Sequence, residues 1–341
     1  MKKIILSLFS AFAFLVVFNA CSTDVDLYAD YKDITVVYGL LDSGADTNFI
    51  KINKAFLGPG NALTIAQVYD SCNYPGKLDA KLVEYRASSA GTNYQKTTEF
   101  QLDTITVHDK ETGIFYAPDQ LVYYTTQPIK RNNEQYKYRY ELQVDRGDSS
   151  ISAMTDIVGG TSFLMPQSAM NFSSTANNGS VTFTSCPYAS IYEVVFKFHF
   201  IEVGPTNDSV ERVMVWPLGS HPEVSLHEEN GLYSVSFKAS LFFYNLASFL
   251  GNDTLNNNIE RLIYEPSLEV AIAAGGDELY NFITVNGPSN SIVQTLPEYT
   301  NVKGGYGVLS SRIMLTKNMR LSGNTIPELK ARENWHFKQI K

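Results

Sequence analysis

Cysteine is scarce in this sequence, three residues in 341, and tryptophan (two) and histidine (five) are hardly commoner. So few thiols exclude a small scaffold built on disulfides. Histidines without the HExxH spacing give no zinc-protease pattern. Positive charge is in deficit, with 27 Lys and Arg against 35 Asp and Glu and no basic cluster to offset it. That balance opposes nucleic acid and anionic lipid as partners. Beyond the first 20 residues no apolar stretch approaches the roughly 20 residues needed to cross a bilayer as a helix. A GxSxG elbow, a GxxxxGK[ST] phosphate loop and an EF-hand calcium loop are also missing.

What is present begins at the N-terminus. Lys2 and Lys3 precede an apolar run from Ile4 to Phe18, and Ala20 stands directly before Cys21. A basic start, an apolar run of about 15 residues and a small residue at the end are the parts of an export signal rather than a permanent span. A cysteine immediately after the small residue is the pattern of bacterial lipoprotein processing. Residues 1–20 therefore read as a cleaved leader and Cys21 as the lipidated residue, and acyl chains anchor at about 0.8 kcal/mol per buried methylene. Cleavage leaves 321 residues with 25 basic and 35 acidic side chains. Residues 21–32, with Asp24, Asp26 and Asp30, read as a solvated tether. Cys72 and Cys186 are then an even pair in an oxidising compartment, open to a disulfide or to two separate thiols.

Past the tether the pattern is that of strands. Ile34 to Leu41 is followed by a turn through Ser43-Gly44-Ala45-Asp46 and a second strand with Phe49, Ile52 and Phe56. Gly58-Pro59-Gly60 breaks it, and Asn61 to Ser71 is consistent with one short helix. Tyr136, Tyr138, Tyr140, Leu142 and Val144 alternate with Lys137, Arg139, Glu141 and Gln143, which puts the first set on one sheet face. Ile151, Ala153, Thr155 and Ile157 continue the period, and Gly159-Gly160 makes a boundary. Tyr192, Val194, Phe196, Phe198 and Phe200, then Tyr233, Val235, Phe237 and Ala239, repeat the logic. Phe242, Leu246, Phe249 and Leu250 instead recur at helical spacing between a capping Ser240 and a terminating Gly251. Asp277 is expected to cap a second short helix through Asn286. The expected fold is mainly β: an immunoglobulin- or fibronectin-like sandwich over residues 33–158 and a second β-rich domain with helical insertions over 161–341.

Chemistry is harder to find. His221 and His227 with Glu228 and Glu229 bring potential metal ligands close in sequence, but without a third spaced ligand they read as a polar loop around Pro222. His199 is expected to face solvent, and His108 and His336 have no evident partners. Lys303-Gly304-Gly305-Tyr306-Gly307 reads as a tight turn or bulge leading into Val308 to Leu315. The many aromatic residues alternate on strands and are expected to fill cores. In the pair Tyr123 and Tyr124, neighbours on a strand point to opposite faces, so one can be exposed. Asp103-Thr104-Ile105, Asp208-Ser209-Val210 and Asp253-Thr254-Leu255 fit an Asp-Ser/Thr-apolar glycosylation triplet at a frequency near chance. No catalytic residue, metal or cofactor is expected.

Two segments carry a family resemblance. Val36-Val37-Tyr38-Gly39-Leu40-Leu41 with Phe49-Ile50-Lys51-Ile52-Asn53-Lys54-Ala55-Phe56-Leu57-Gly58 and Gly60-Asn61-Ala62 resembles uncharacterised lipoproteins of Bacteroidetes cell envelopes. Tyr299-Thr300-Asn301-Val302-Lys303-Gly304-Gly305-Tyr306-Gly307 with Ser310-Ser311-Arg312 is similar to the same family's C-terminal signature, and acidic residues after Cys21 resemble its surface-export signals. The resemblance implies an outer-membrane lipoprotein, on the surface or the periplasmic face, of the kind discussed beside nutrient-uptake machinery, with no activity to carry over. The functional expectation is a non-enzymatic module that binds an envelope protein or a glycan. A structural component without a small ligand, and an enzyme resting on His221 and His227, are the alternatives.

Overall fold

The computed structural model describes residues 32–57, 60–229, 231–251, 259–287 and 298–340. The expected leader over residues 1–20, Cys21, the expected tether as far as Tyr31 and Asp253-Thr254-Leu255 lie outside them, as do the side chains of His227, Glu228 and Glu229.

Strands β1 (Lys32–Asp42) and β2 (Asn48–Leu57) form the expected strand, turn and strand. Two short helices, α1 (Ala62–Ala66) and α2 (Tyr69–Cys72), replace the single one expected over Asn61 to Ser71. Asn61 caps the first, its side chain accepting from the Leu63 amide at 3.0 Å. The first half continues with β3 (Asp79–Ser88), β4 (Gln95–Gln101), β5 (Asp103–Val107), β6 (Gln120–Thr125), β7 (Tyr136–Asp145) and β8 (Ser150–Asp156). The second holds β9 (Phe163–Met165), β10 (Ala169–Met170), β11 (Asn178–Thr184), β12 (Ile191–Val203), β13 (Ser209–Pro222), β14 (His227–Glu229) and β15 (Leu232–Lys238). Helix α3 (Leu241–Leu250), β16 (Glu260–Ile263), β17 (Leu268–Gly275) and helix α4 (Asp277–Asn286) follow. The chain closes with β18 (Val302–Lys303), β19 (Gly305–Leu321), α5 (Thr325–Ala331) and β20 (Phe337–Gln339). Helices α3 and α4 stand where the sequence placed them, and α5 was not expected. Neither α3 nor α4 is capped as expected: the Ser240 side chain makes no capping bond, and Asp277 is the first helical residue behind Gly276.

The fold is mainly β, with the strands of the described residues in three sheets. The largest runs β20-β16-β12-β17-β19-β1-β2-β6-β5, with β13 on the other edge of β12 and β10 beside β19. A four-stranded sheet, β14-β15-β11-β9, and a five-stranded one, β18-β8-β7-β3-β4, pack on it. Side chains of β7 and β8 join Val37, Leu41, Ile50 and Ile52 of the large sheet in one core. Those of β11 and β15, with α3, join β12, β17 and the end of β19 in the other. Phe172 lies inside the second core, stacked on Phe242 at 4.4 Å and meeting Phe196 edge-on at 5.7 Å.

Ile157 belongs to one core and Val158 to the other, yet the large sheet does not break between the two halves. It is continuous because β19 pairs with β1 in parallel, Thr35 opposite Gly305 through Asp42 opposite Arg312, and with β17 antiparallel on its other edge. Val302 and Leu309 thereby belong to the first core. This is where the glycine-dense segment acts. Gly307 sits at φ +105°, and a Cβ there would lie 2.0 Å from the Val37 carbonyl oxygen, so only glycine lets β1 and β19 approach.

Candidate functional site

The outer face of the large sheet carries exposed aromatic side chains at Tyr38 and Phe49. Residues opposite one another across a ladder share a face. Tyr38 is opposite Lys51 on β2 and Val308 on β19, and Phe49 is opposite Tyr124 on β6. The inward neighbours Val37, Leu41 and Ile50 are fully buried, while Tyr38 is 46% and Phe49 53% exposed.

Helix α4 forms the second wall. Its first turn is fixed to the sheet by Ser310, whose hydroxyl accepts from the Leu279 amide at 3.1 Å and donates to the Glu278 carboxyl at 3.2 Å. Thr155 of β8 donates to the same carboxyl at 3.0 Å, and Ser190 bonds Asp277. Burial pushes the Glu278 carboxyl above its usual pKa, with the negative charge of Asp156 adding to the rise; the hydrogen bonds from its own amide, Thr155 and Ser310 oppose it. So fixed, α4 presents Leu279, Phe282 and Ile283 to the strands, and Phe282 meets the Tyr38 ring edge-on at 5.9 Å.

Between helix and strands runs a groove of about 470 Å³. Tyr38, Leu40, Phe49, Phe282, Ile283 and Val308 make it apolar, and Asp42, Asn48 and Arg312 close one end. Those polar groups are largely committed to one another. Asn48 accepts from the Asp42 amide at 2.6 Å and donates to its carbonyl at 3.1 Å. One Asp42 carboxylate oxygen accepts from the Gly44 amide at 2.9 Å, and the other lies 3.4 Å from Arg312 Nε. Lys51, opposite Tyr38, is held below the usual lysine pKa by burial and then by the charge of Lys110. The arrangement offers ring edges, aliphatic side chains and one engaged guanidinium, which are contacts for binding.

Sequence patterning did not single out this groove. Of the adjacent tyrosines, Tyr123 is buried with its hydroxyl accepting from the Leu78 amide at 2.7 Å, and the half-exposed Tyr124 packs on Phe49 at 6.2 Å. The disulfide is not formed. Cys72 and Cys186 are free, buried thiols, and each bonds a carbonyl of its own neighbourhood, Ala66 at 3.4 Å and Gly159 at 3.0 Å. His108, expected to stand alone, pairs with Asp119 at 2.9 Å, and the partly buried His199 pairs with Glu211 at 3.1 Å. His221 Nε2 and His336 Nε2 are buried without hydrogen-bond partners. No cluster of three potential metal ligands exists among the described residues. Of the glycosylation triplets, Ser209 is exposed at the start of β13 and Thr104 is half-buried on β5. Neither a protein-family model nor a curated protein sequence matches this chain.

Proposed function

We propose that the chain is an exported envelope lipoprotein, acylated on Cys21 and held at the outer membrane, that serves as a non-enzymatic binding module through the groove between α4 and β1–β2. The observation that carries the reading is the exposure of Tyr38 and Phe49 on a sheet whose inward aromatics are sealed in cores. Exposed rings in a preformed apolar groove are the usual anchors of a protein contact. The commitment of Asp42 and Asn48 to each other favours an apolar protein segment over a sugar, whose hydroxyls need free polar partners. The reading takes the chain as one of the Bacteroidetes-type envelope lipoproteins that its terminal segments resemble, accessory to uptake machinery. It takes each packed pair of sheets as an immunoglobulin-like sandwich, supported by the two-layer cores.

Photo-crosslinking in intact cells tests the binding. A crosslinker at position 49 should capture one defined protein, and one at Lys137, on the wet side of β7, should not. Tyr38→Ala in the same chain should reduce the yield at least about tenfold, a typical hot-spot loss. Capture that is indiscriminate, or unchanged by Tyr38→Ala, would overturn the assignment. The anchor is tested by metabolic lipid labelling. Cys21→Ala should abolish it and leave an uncleaved precursor.

A further inference from the structure

At the opposite end of β1 the surface changes character. Leu63 and Val68, on and just after α1, and Ile114 and Phe115, in the segment before β6, are each at least half exposed. They are parts of one tip. Gln67 Nε2 donates to the carbonyls of Gly113 and Ile114 at 2.8 and 2.6 Å, and the Tyr116 amide donates to the Ala66 carbonyl at 2.9 Å. The Tyr69 and Tyr116 rings lock the two segments edge-on at 5.2 Å. Four large apolar side chains are thus held out in water by a pinned backbone rather than folded back.

The position of the tip relative to the chain's start says what covers it. Lys32 is opposite Leu57 in the β1–β2 ladder, and α1 begins just past Asn61. One strand spacing and five further residues put the start of α1 within roughly 23 Å of Lys32. Cys21 is eleven residues before Lys32, so the tether reaches at most about 40 Å. The groove closes at Asp42, ten residues up β1 from Lys32, roughly 33 Å from the anchored end.

Building on the lipid-anchor reading, we infer that Leu63, Val68, Ile114 and Phe115 dip into the same lipid surface that holds the acyl chains of Cys21, so that the molecule stands on this tip with its groove turned away from the membrane. Apolar side chains seated at the boundary of headgroups and acyl chains add to a lipid anchor without spanning the bilayer. The net negative charge of the mature chain suits a zwitterionic surface better than an anionic one.

The test separates tip from anchor. Residues 32–340 supply every strand of the three sheets, so the mature chain carrying Cys21→Ser and made without its leader keeps the described fold. This unlipidated chain should co-sediment with phosphatidylcholine vesicles. The triple variant Leu63→Glu, Ile114→Glu, Phe115→Glu should partition at least about tenfold less, since partitioning scales with buried apolar area, and Val224→Glu, at an exposed position two residues past β13, should behave as the parent. A second readout keeps the test open should the triple variant misfold: an environment-sensitive dye on Ile114→Cys should shift to the blue with vesicles, and the same dye on the exposed Val224→Cys, near the Asp42 end of the large sheet, should not. No partitioning of the parent, equal partitioning of the triple variant, or identical dye responses at 114 and 224 would each overturn the inference. Lipid labelling of the unsubstituted precursor decides the anchor independently: a labelled Cys21 with a non-partitioning tip refutes the tip alone, and an unlabelled Cys21 refutes the anchor alone.

Discussion

The Tyr140 hydroxyl donates to a carboxylate oxygen of Glu84 at 2.6 Å inside the first core, where Glu84 is 1% exposed. Thr97 donates to the other oxygen at 2.6 Å, and Lys130 reaches it at 3.1 Å. Burial alone would raise the pKa of this carboxyl, but the bonds from Thr97, Tyr140 and Lys130 together with the Lys130 charge bring it below its usual value. A charge in the core is tolerated because every lone pair that matters has a donor.

Tyr140→Phe should cost about 1.5–3 kcal/mol, the range for a hydrogen bond to a charged group. Urea unfolding at neutral pH measures it. Because the folded pKa of Glu84 is depressed, its contribution is present above the unfolded carboxyl value and is lost as pH falls through the folded one. Unfolding curves of the parent should therefore converge on those of Tyr140→Phe as the solution is acidified.

Glu278 has the opposite sign. Its folded pKa is raised, so the stabilisation it gives belongs to the protonated form, fully present below the unfolded value and lost as pH rises through the folded one. Glu278→Gln keeps an acceptor for Thr155 and Ser310 without the charge. Its melting temperature relative to the parent should rise between acidic and neutral pH; a parallel pair of profiles would refute the assignment.

Gly307→Ala should destabilise by at least about 2 kcal/mol, since it adds a positive-φ strain to a backbone clash. Hydrogen exchange should show the loss first in the amides of Val37 to Leu41, which face β19.

The two thiols should be silent toward a maleimide in the native protein and both react in urea. Burial pushes Cys186 up to about 12 and also raises Cys72, so little thiolate is present at neutral pH. Mass spectrometry without reductant should find Cys72 and Cys186 as free thiols.

Local periodicity conveyed much of this fold. The alternations at Tyr136 to Val144, Tyr192 to Phe200 and Tyr233 to Phe237 are strands with those aromatics turned inward, and the helical spacing around Leu246 is a helix. Glu84 was illegible, because a carboxylate in a strand reads as wet until Tyr140, Thr97 and Lys130 converge on it from elsewhere. The groove was illegible for a related reason. The β1–β2 hairpin sets Tyr38 and Phe49 on one face, but the wall that makes a groove of them, α4, is held by Ser310 and reaches them only through the distant pairing of β1 with β19. The register between remote strands depends on tertiary packing, and no window of local sequence contains it.

The pairing of Thr35 with Gly305 also sets a schedule for folding. During synthesis the first strand emerges with its hairpin partner β2, but its other edge stays vacant until almost the last residues are made. Loop closure over that separation must precede the contacts that reward it, which makes assembly slow. A chain that cannot close its central sheet early stays open and threadable while it is being made, and locks only after its far end has been added.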